Sequence, residues 1–133
     1  MTIHGSCSCG FLTFEAEADP EKVSMCHCTD CQSSSGTAFR TNVPVPGNTF
    51  RMLSGTPTIY IKTTAESGNP RAQAFCPGCG SHIYSTTPGD GPKPSYMVRV
   101  GVLRERRPTR SEGAELDALC AALGYGNWRA AQK

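Results

Sequence analysis

Cys76-Pro77-Gly78-Cys79-Gly80 places two cysteines on either side of a two-residue gap. That spacing lets a short loop fold so that both sulfurs meet one cation, at a Zn–S distance of about 2.3 Å. Gly78 and Gly80 permit the tight backbone. One such knuckle supplies two ligands, and a structural zinc site needs four. The complement stands near the start of the chain, in Cys7-Ser8-Cys9. Cysteines at i and i+2 project to the same side of an extended backbone. Gly10 then lets the chain turn away with positive φ, which frees backbone N–H groups to face the sulfurs. Cys7, Cys9, Cys76 and Cys79 are therefore expected to close one structural zinc site. Such a staple ties the N-terminus to the second half of a small domain, so metal binding contributes directly to folding.

Between these pairs lies Cys26-His27-Cys28-Thr29-Asp30-Cys31, with three cysteines in six residues. Three protein ligands and an open position form the pattern of catalytic zinc. An open site can bind a substrate thiol, lower its pKa and hold it as a thiolate nucleophile. Cys26, Cys28 and Cys31 are read as ligands of this second zinc. The alternatives are a second structural site or a metal-free thiol cluster. His27 would point away from its two neighbours in an extended segment and is read as a non-ligand. Asp30 is either an outer support of the site or a turn residue. His4 and His82 stand alone and read as surface or strand residues. Cys120, on a leucine-spaced face in the tail, reads as packing. Lys62, Arg71 and Arg99 are cations suited to an anionic substrate, although the sequence brings them to no common pocket.

Composition bounds the class. A chain of 133 residues is one domain by size, and 38% hydrophobic with 18% charged residues excludes a disordered chain and a helical membrane protein. Met1-Thr2-Ile3-His4-Gly5 has neither a basic segment nor an apolar run of the secretory kind, so a cytoplasmic protein is expected. In that setting, eight cysteines in tight clusters point to metal rather than to disulfides. A net charge of +2 gives no argument for nucleic acid. Arg104, Arg106, Arg107 and Arg110 read as a solvated patch. The expected partner is a small-molecule thiol, with neither nucleic acid nor membrane involved.

The hydrophobic pattern is mainly β. Strands are predicted at residues 11–18, 38–43, 49–53, 58–63, 82–86 and 96–100. Pro44, Pro46 and Gly47 are read as a turn, residues 21–36 as a loop or single turn, and residues 64–72 as a polar loop. The tail differs. Thr109-Arg110-Ser111-Glu112 fits a capping box, and Leu116, Leu119 and Leu123 follow at helical spacing before Gly124. This divides the chain into a zinc-binding β domain at 1–103 and a helical or disordered tail at 104–133.

Taken together and in order, three motifs are specific. Gly5-Ser6-Cys7-Ser8-Cys9-Gly10, the Cys26–Cys31 run with Gly36 downstream, and Phe75-Cys76-Pro77-Gly78-Cys79-Gly80-Ser81 resemble the glutathione-dependent formaldehyde-activating enzyme family, which includes relatives of centromere protein V. The resemblance covers residues 3–103. It implies an Mss4-like fold of several coiled β-sheets, structural zinc on Cys7, Cys9, Cys76 and Cys79, and catalytic zinc on Cys26, Cys28 and Cys31. The implied activity is that of a carbon–sulfur lyase: glutathione adds to formaldehyde to give S-(hydroxymethyl)glutathione. The centromere protein relatives imply the other reading, a non-catalytic zinc-stabilised binding module. Past Leu103 the sequence lacks the family's usual ending, which has two tryptophans, the second preceded by proline. Leu116-Asp117 and Leu123-Gly124 each spell a tryptophan codon one base along if the leucine codon ends in TG, so the tail also reads as a frame-shifted ending.

Overall fold

The computed structural model describes residues 1–106. The tail helix, Cys120, Arg107, Arg110 and the question of reading frame all lie outside those residues.

The described chain is mainly β, as the pattern predicts. Strands β1 (Thr2–Ser6), β2 (Thr13–Glu17) and β5 (Arg51–Ser54) form a three-stranded sheet in the order β1-β2-β5. A six-stranded sheet has the order β3-β4-β9-β8-β7-β6, built from β3 (Ser24–Cys26), β4 (Arg40–Pro46), β6 (Thr58–Lys62), β7 (Arg71–Phe75), β8 (His82–Thr86) and β9 (Ser95–Arg99). The strand pairs are antiparallel.

Period-two alternation decides which side chains meet. On β1 and β2 it turns Ile3, Gly5, Phe14 and Ala16 inward. On the larger sheet it turns Val43, Val45 and Val98 toward the same core. Phe50 stacks between Phe14 and Tyr96, at ring centroid distances of 5.3 and 4.3 Å, and meets Tyr84 edge-on at 5.1 Å. Phe14 is paired with Gly5 across the hairpin and fills the space a side chain there would need. A Cβ at Gly5 would fall 2.0 Å from the Phe14 ring.

Several elements differ from the sequence reading, and β1, β3 and β7 stand where it places no strand. β4 runs through Pro44 to Pro46 instead of turning there, and the turn is the short 3-10 segment Gly47–Thr49. β3 flanks β4 only as far as Asn42, so one edge beyond it is open, where a missing N–H is tolerated. The segment read as a loop or single turn holds a helix, α1 (Thr29–Ser35). Its polarity hid it, because its caps rather than an apolar stripe define it. The Cys28 sulfur caps its start, and Gly36 ends it in the left-handed region with its N–H on the Gln32 carbonyl.

The far face of the larger sheet is polar. Residues paired directly across strands share a face, as do residues two apart. The registers Cys26↔Arg40, Asn42↔Arg99, Met97↔Ser85, Ser85↔Gln73 and Arg71↔Lys62 therefore place Cys26, Arg40, Arg99, Arg71 and Lys62 on one side. α1 attaches to this side. Arg40 donates to Ser34 at 3.2 Å, and Lys62 pairs with Asp30 at 3.0 Å.

Candidate metal centres

Cys7 leaves β1 and Cys76 leaves β7, and both are buried at the margin of the core. Each opens a tight turn. The Gly10 N–H reaches the Cys7 carbonyl at 3.1 Å, and the Gly80 N–H reaches the Cys76 carbonyl at 2.9 Å. Both glycines have positive φ, at 81° and 75°. These turns aim amides at sulfur: Leu12 N–H donates to Cys7 Sγ at 3.2 Å and Gly78 N–H to Cys76 Sγ at 3.4 Å. Ser81 ties the two knuckles together, accepting from the Ser8 N–H at 3.0 Å while its hydroxyl sits 3.2 Å from Cys79 Sγ.

The sulfurs of Cys7, Cys9, Cys76 and Cys79 all lie within 4.8 Å of one another. Cys7 to Cys9 is 3.6 Å and Cys9 to Cys76 is 3.7 Å. Tetrahedral zinc with Zn–S of about 2.3 Å requires sulfurs about 3.8 Å apart, so the set fits that ion. All seven described cysteines are free of disulfides. The proton affinities are split within the set. The Ser81 hydroxyl and amide hold Cys79 down at about 5. Burial raises Cys7, but the Leu12 amide and the Cys9 and Cys76 sulfurs outweigh it and leave the thiol below its ordinary value. The Phe11 amide favours the Cys9 thiolate, yet its sulfur neighbours win and push it up to about 11.

The second set is assembled at the start of α1. Cys26 ends β3, Cys28 is the cap residue and Cys31 is buried in the first turn. Their sulfurs also lie within 4.8 Å of one another, and no fourth histidine, cysteine or carboxylate joins them among the described residues. Cys28 Sγ accepts the Cys31 N–H at 3.3 Å. That amide, with the Cys31 and Cys26 sulfurs, brings Cys28 down to about 7. Burial pushes Cys31 up to about 12. The exposed sulfur is thus the acidic one and the buried sulfur keeps its proton, a split that a shared cation would remove.

The model of the glutathione-dependent formaldehyde-activating enzyme family matches residues 2–116. The chain belongs to that family. A crystal structure of a Rhodobacter sphaeroides protein shares the fold, at 20% identity and a TM-score of 0.60, covering 86% of this chain and 96% of that one. No curated protein matches the sequence. As a formaldehyde-activating-family chain, the protein thus has two cysteine groups that can bind metal and are compatible with zinc, one with four sulfurs and one with three.

The remaining candidates of this family member now have places. His27 stays out of the three-sulfur group, its ring tilted against Phe39 at 5.9 Å. Asp30 is held below the usual carboxylate range by Lys62 and then Thr64, which anchors α1 to β6 and its following loop. His4 is not isolated: Nδ1 lies 2.8 Å from Glu105, joining β1 to the 3-10 segment Arg104–Arg106. His82 lies 3.1 Å from the Ser34 hydroxyl, and burial with Arg99 and Arg40 nearby lowers its pKa. Lys62, Arg71 and Arg99, scattered in sequence, share one sheet face with Cys26. Arg40 is the residue the sequence reading missed. A lone arginine carries no motif, and only strand register shows that it sits opposite Cys26.

Proposed function

We propose that this protein is a zinc-dependent carbon–sulfur lyase of the formaldehyde-activating type, joining glutathione to formaldehyde as S-(hydroxymethyl)glutathione or reversing that step. The observation that carries this reading is the three-sulfur group, which stands apart from a complete four-sulfur group and finds no fourth ligand side chain among the described residues. In that arrangement Cys7, Cys9, Cys76 and Cys79 hold the structural zinc and Cys26, Cys28 and Cys31 hold a catalytic one. Zinc bound by three thiolates supplies Lewis-acid stabilisation of a substrate thiolate at neutral pH.

The chemistry balances without a redox partner. A sulfur–carbon bond forms as the thiol loses its proton, the carbonyl π pair moves to oxygen, and that oxygen takes up a proton. The chain's own part is to hold and orient. The Cys28 cap and the Lys62–Asp30 pair fix α1, and α1 fixes Cys31. Exposed Cys28 marks the side from which a thiol enters. A small soluble thiol fits a cytoplasmic setting, and no described helix is long and apolar enough to cross a membrane.

A second reading has one observation in its favour. β6 ends the larger sheet and leaves Ile59, Tyr60 and Ile61 exposed, which suits a zinc-stabilised binding module. Exchange NMR of mixed glutathione and formaldehyde separates the two. Faster interconversion with zinc-loaded protein supports the enzyme, and an unchanged rate contradicts it.

A further inference from the structure

We propose that Arg40 and Arg99 form a carboxylate-binding cradle beside the three-cysteine group, so that the thiol taken there is one that carries a carboxylate. The cradle is read from this chain's own side chains; the thiol end of its occupant rests on the function proposed above.

Arg99 is 5% exposed. Its Nη1 is engaged, donating to Asn42 Oδ1 at 2.6 Å, to the Met97 carbonyl at 3.1 Å and to Ser85 Oγ at 3.4 Å. Its Nε and Nη2 are buried and find no acceptor among the described residues. Those two nitrogens form one edge of the guanidinium, the edge that grips a carboxylate with two parallel hydrogen bonds. Arg40 repeats the pattern. Its Nη1 donates to Ser34 and Gln73, each at 3.2 Å, while its Nε is buried without an acceptor. A buried donor left unpaired costs about 1–3 kcal/mol, and more when it is charged. Three such donors on two like-charged groups are costly for a scaffold that gains nothing from them. Arg99 records the cost: burial, and then Arg40, push its pKa down to about 9.

Position and charge direct these donors to the site. Arg40 is paired with Cys26 across β3 and β4, and its Ser34 partner belongs to the helix that carries Cys31. The thiols themselves do not satisfy the free nitrogens. Three thiolates on a divalent cation carry one net negative charge, while Arg40, Arg71 and Arg99 on this face carry three positive ones and Lys62 is neutralised by Asp30. The surplus is two positive charges before a thiol enters. An incoming thiolate balances one, and a carboxylate on the same molecule, on the side-on edge of Arg99, balances the other.

The test is a titration of full-length, cobalt-substituted protein with 3-mercaptopropionate and with 2-mercaptoethanol, which differ in the carboxylate. Thiolate-to-cobalt bands report the sulfur end. Propionate, followed by the Nε–H NMR signals of the zinc-loaded protein's arginines, reports the cradle alone. The expected result is about tenfold tighter binding of 3-mercaptopropionate, a gap lost in Arg40→Gln and largely kept in Arg40→Lys. Circular dichroism and metal content confirm that both variants fold. Equal affinity for the two thiols in the unmodified protein overturns the cradle and leaves the thiol reading standing. If neither thiol alters the cobalt bands, the thiol reading fails, and propionate decides the cradle: shifted Arg40 and Arg99 signals uphold it, and unshifted signals overturn it.

Discussion

Cys9 Sγ lies 3.7 Å from Cys76 Sγ although 67 positions separate them in the chain. The contact joins the β1–β2 turn to the β7–β8 turn, and so joins the small sheet to the large one. The two sheets share one core, whose largest fully buried side chains include Phe14, Leu12, Ile83 and Leu103. A cation among these sulfurs closes most of the described chain into one loop.

Cys76→Ser should therefore unfold or aggregate the protein. Structural zinc contributes on the order of 10 kcal/mol to small metal-bound domains, comparable to the whole stability of a domain. Circular dichroism with metal analysis checks this. A folded, zinc-free Cys76→Ser protein would contradict it.

Gly5→Ala should destabilise the fold without touching either cysteine group. The added methyl would lie 2.0 Å from the Phe14 ring, so β1 or Phe14 must move. The expected cost is about 3 kcal/mol, the upper range for overpacking a core. Denaturant unfolding measures it, and Gly5→Ala combined with Phe14→Leu should recover part of the loss. An unchanged midpoint for the single variant would show that the hairpin is looser than the packing implies.

Acid should empty the three-sulfur group before the four-sulfur group. Metal binding requires thiolates, so protons compete and affinity falls as pH falls. Each group holds one sulfur that must always be displaced from its proton, Cys31 at about 12 and Cys9 at about 11, so the order rests on the acidic member: Cys28, at about 7, starts to regain its proton in mild acid. Cys79, at about 5, stays ionised until the medium is more acidic. Zinc release followed with a chromophoric chelator from pH 8 to pH 5 (about one-half unit per step) should show two phases. One phase, or loss of structure in the first, would count against this order.

Lys62→Ala should loosen α1 while sparing the core. The Lys62–Asp30 pair spans 3.0 Å between partly covered side chains, so its loss should cost no more than about 1 kcal/mol of stability. The effect should appear instead as faster metal loss from Cys26, Cys28 and Cys31. Metal retention equal to that of the parent protein would remove Lys62 from the site's support.

The parts legible in the sequence are those where chemistry restricts spacing. Two cysteine knuckles followed by glycine announce their turns, and 82–86 reads as the strand β8 because alternation and β-branched residues agree. α1 was hidden because a helix of seven residues defined by a cysteine cap and Gly36 has no apolar period. Pro44 and Pro46 read as a turn because nothing local in the sequence shows that β3 stops at Asn42 and leaves that edge of β4 open. The basic face was illegible for a simpler reason. Arg40, Arg71 and Arg99 come from three strands, and no local pattern encodes the register that aligns them.

Metal stoichiometry of the parent protein and of Cys28→Ser, measured on folded, purified chains, tests the division of labour between the two sulfur groups most directly. Two zinc ions in the parent and one in Cys28→Ser, with the same circular dichroism and no thiol–formaldehyde activity in the variant, are the expected result. A Cys28→Ser protein that keeps both ions, or that loses both along with its fold, would contradict it.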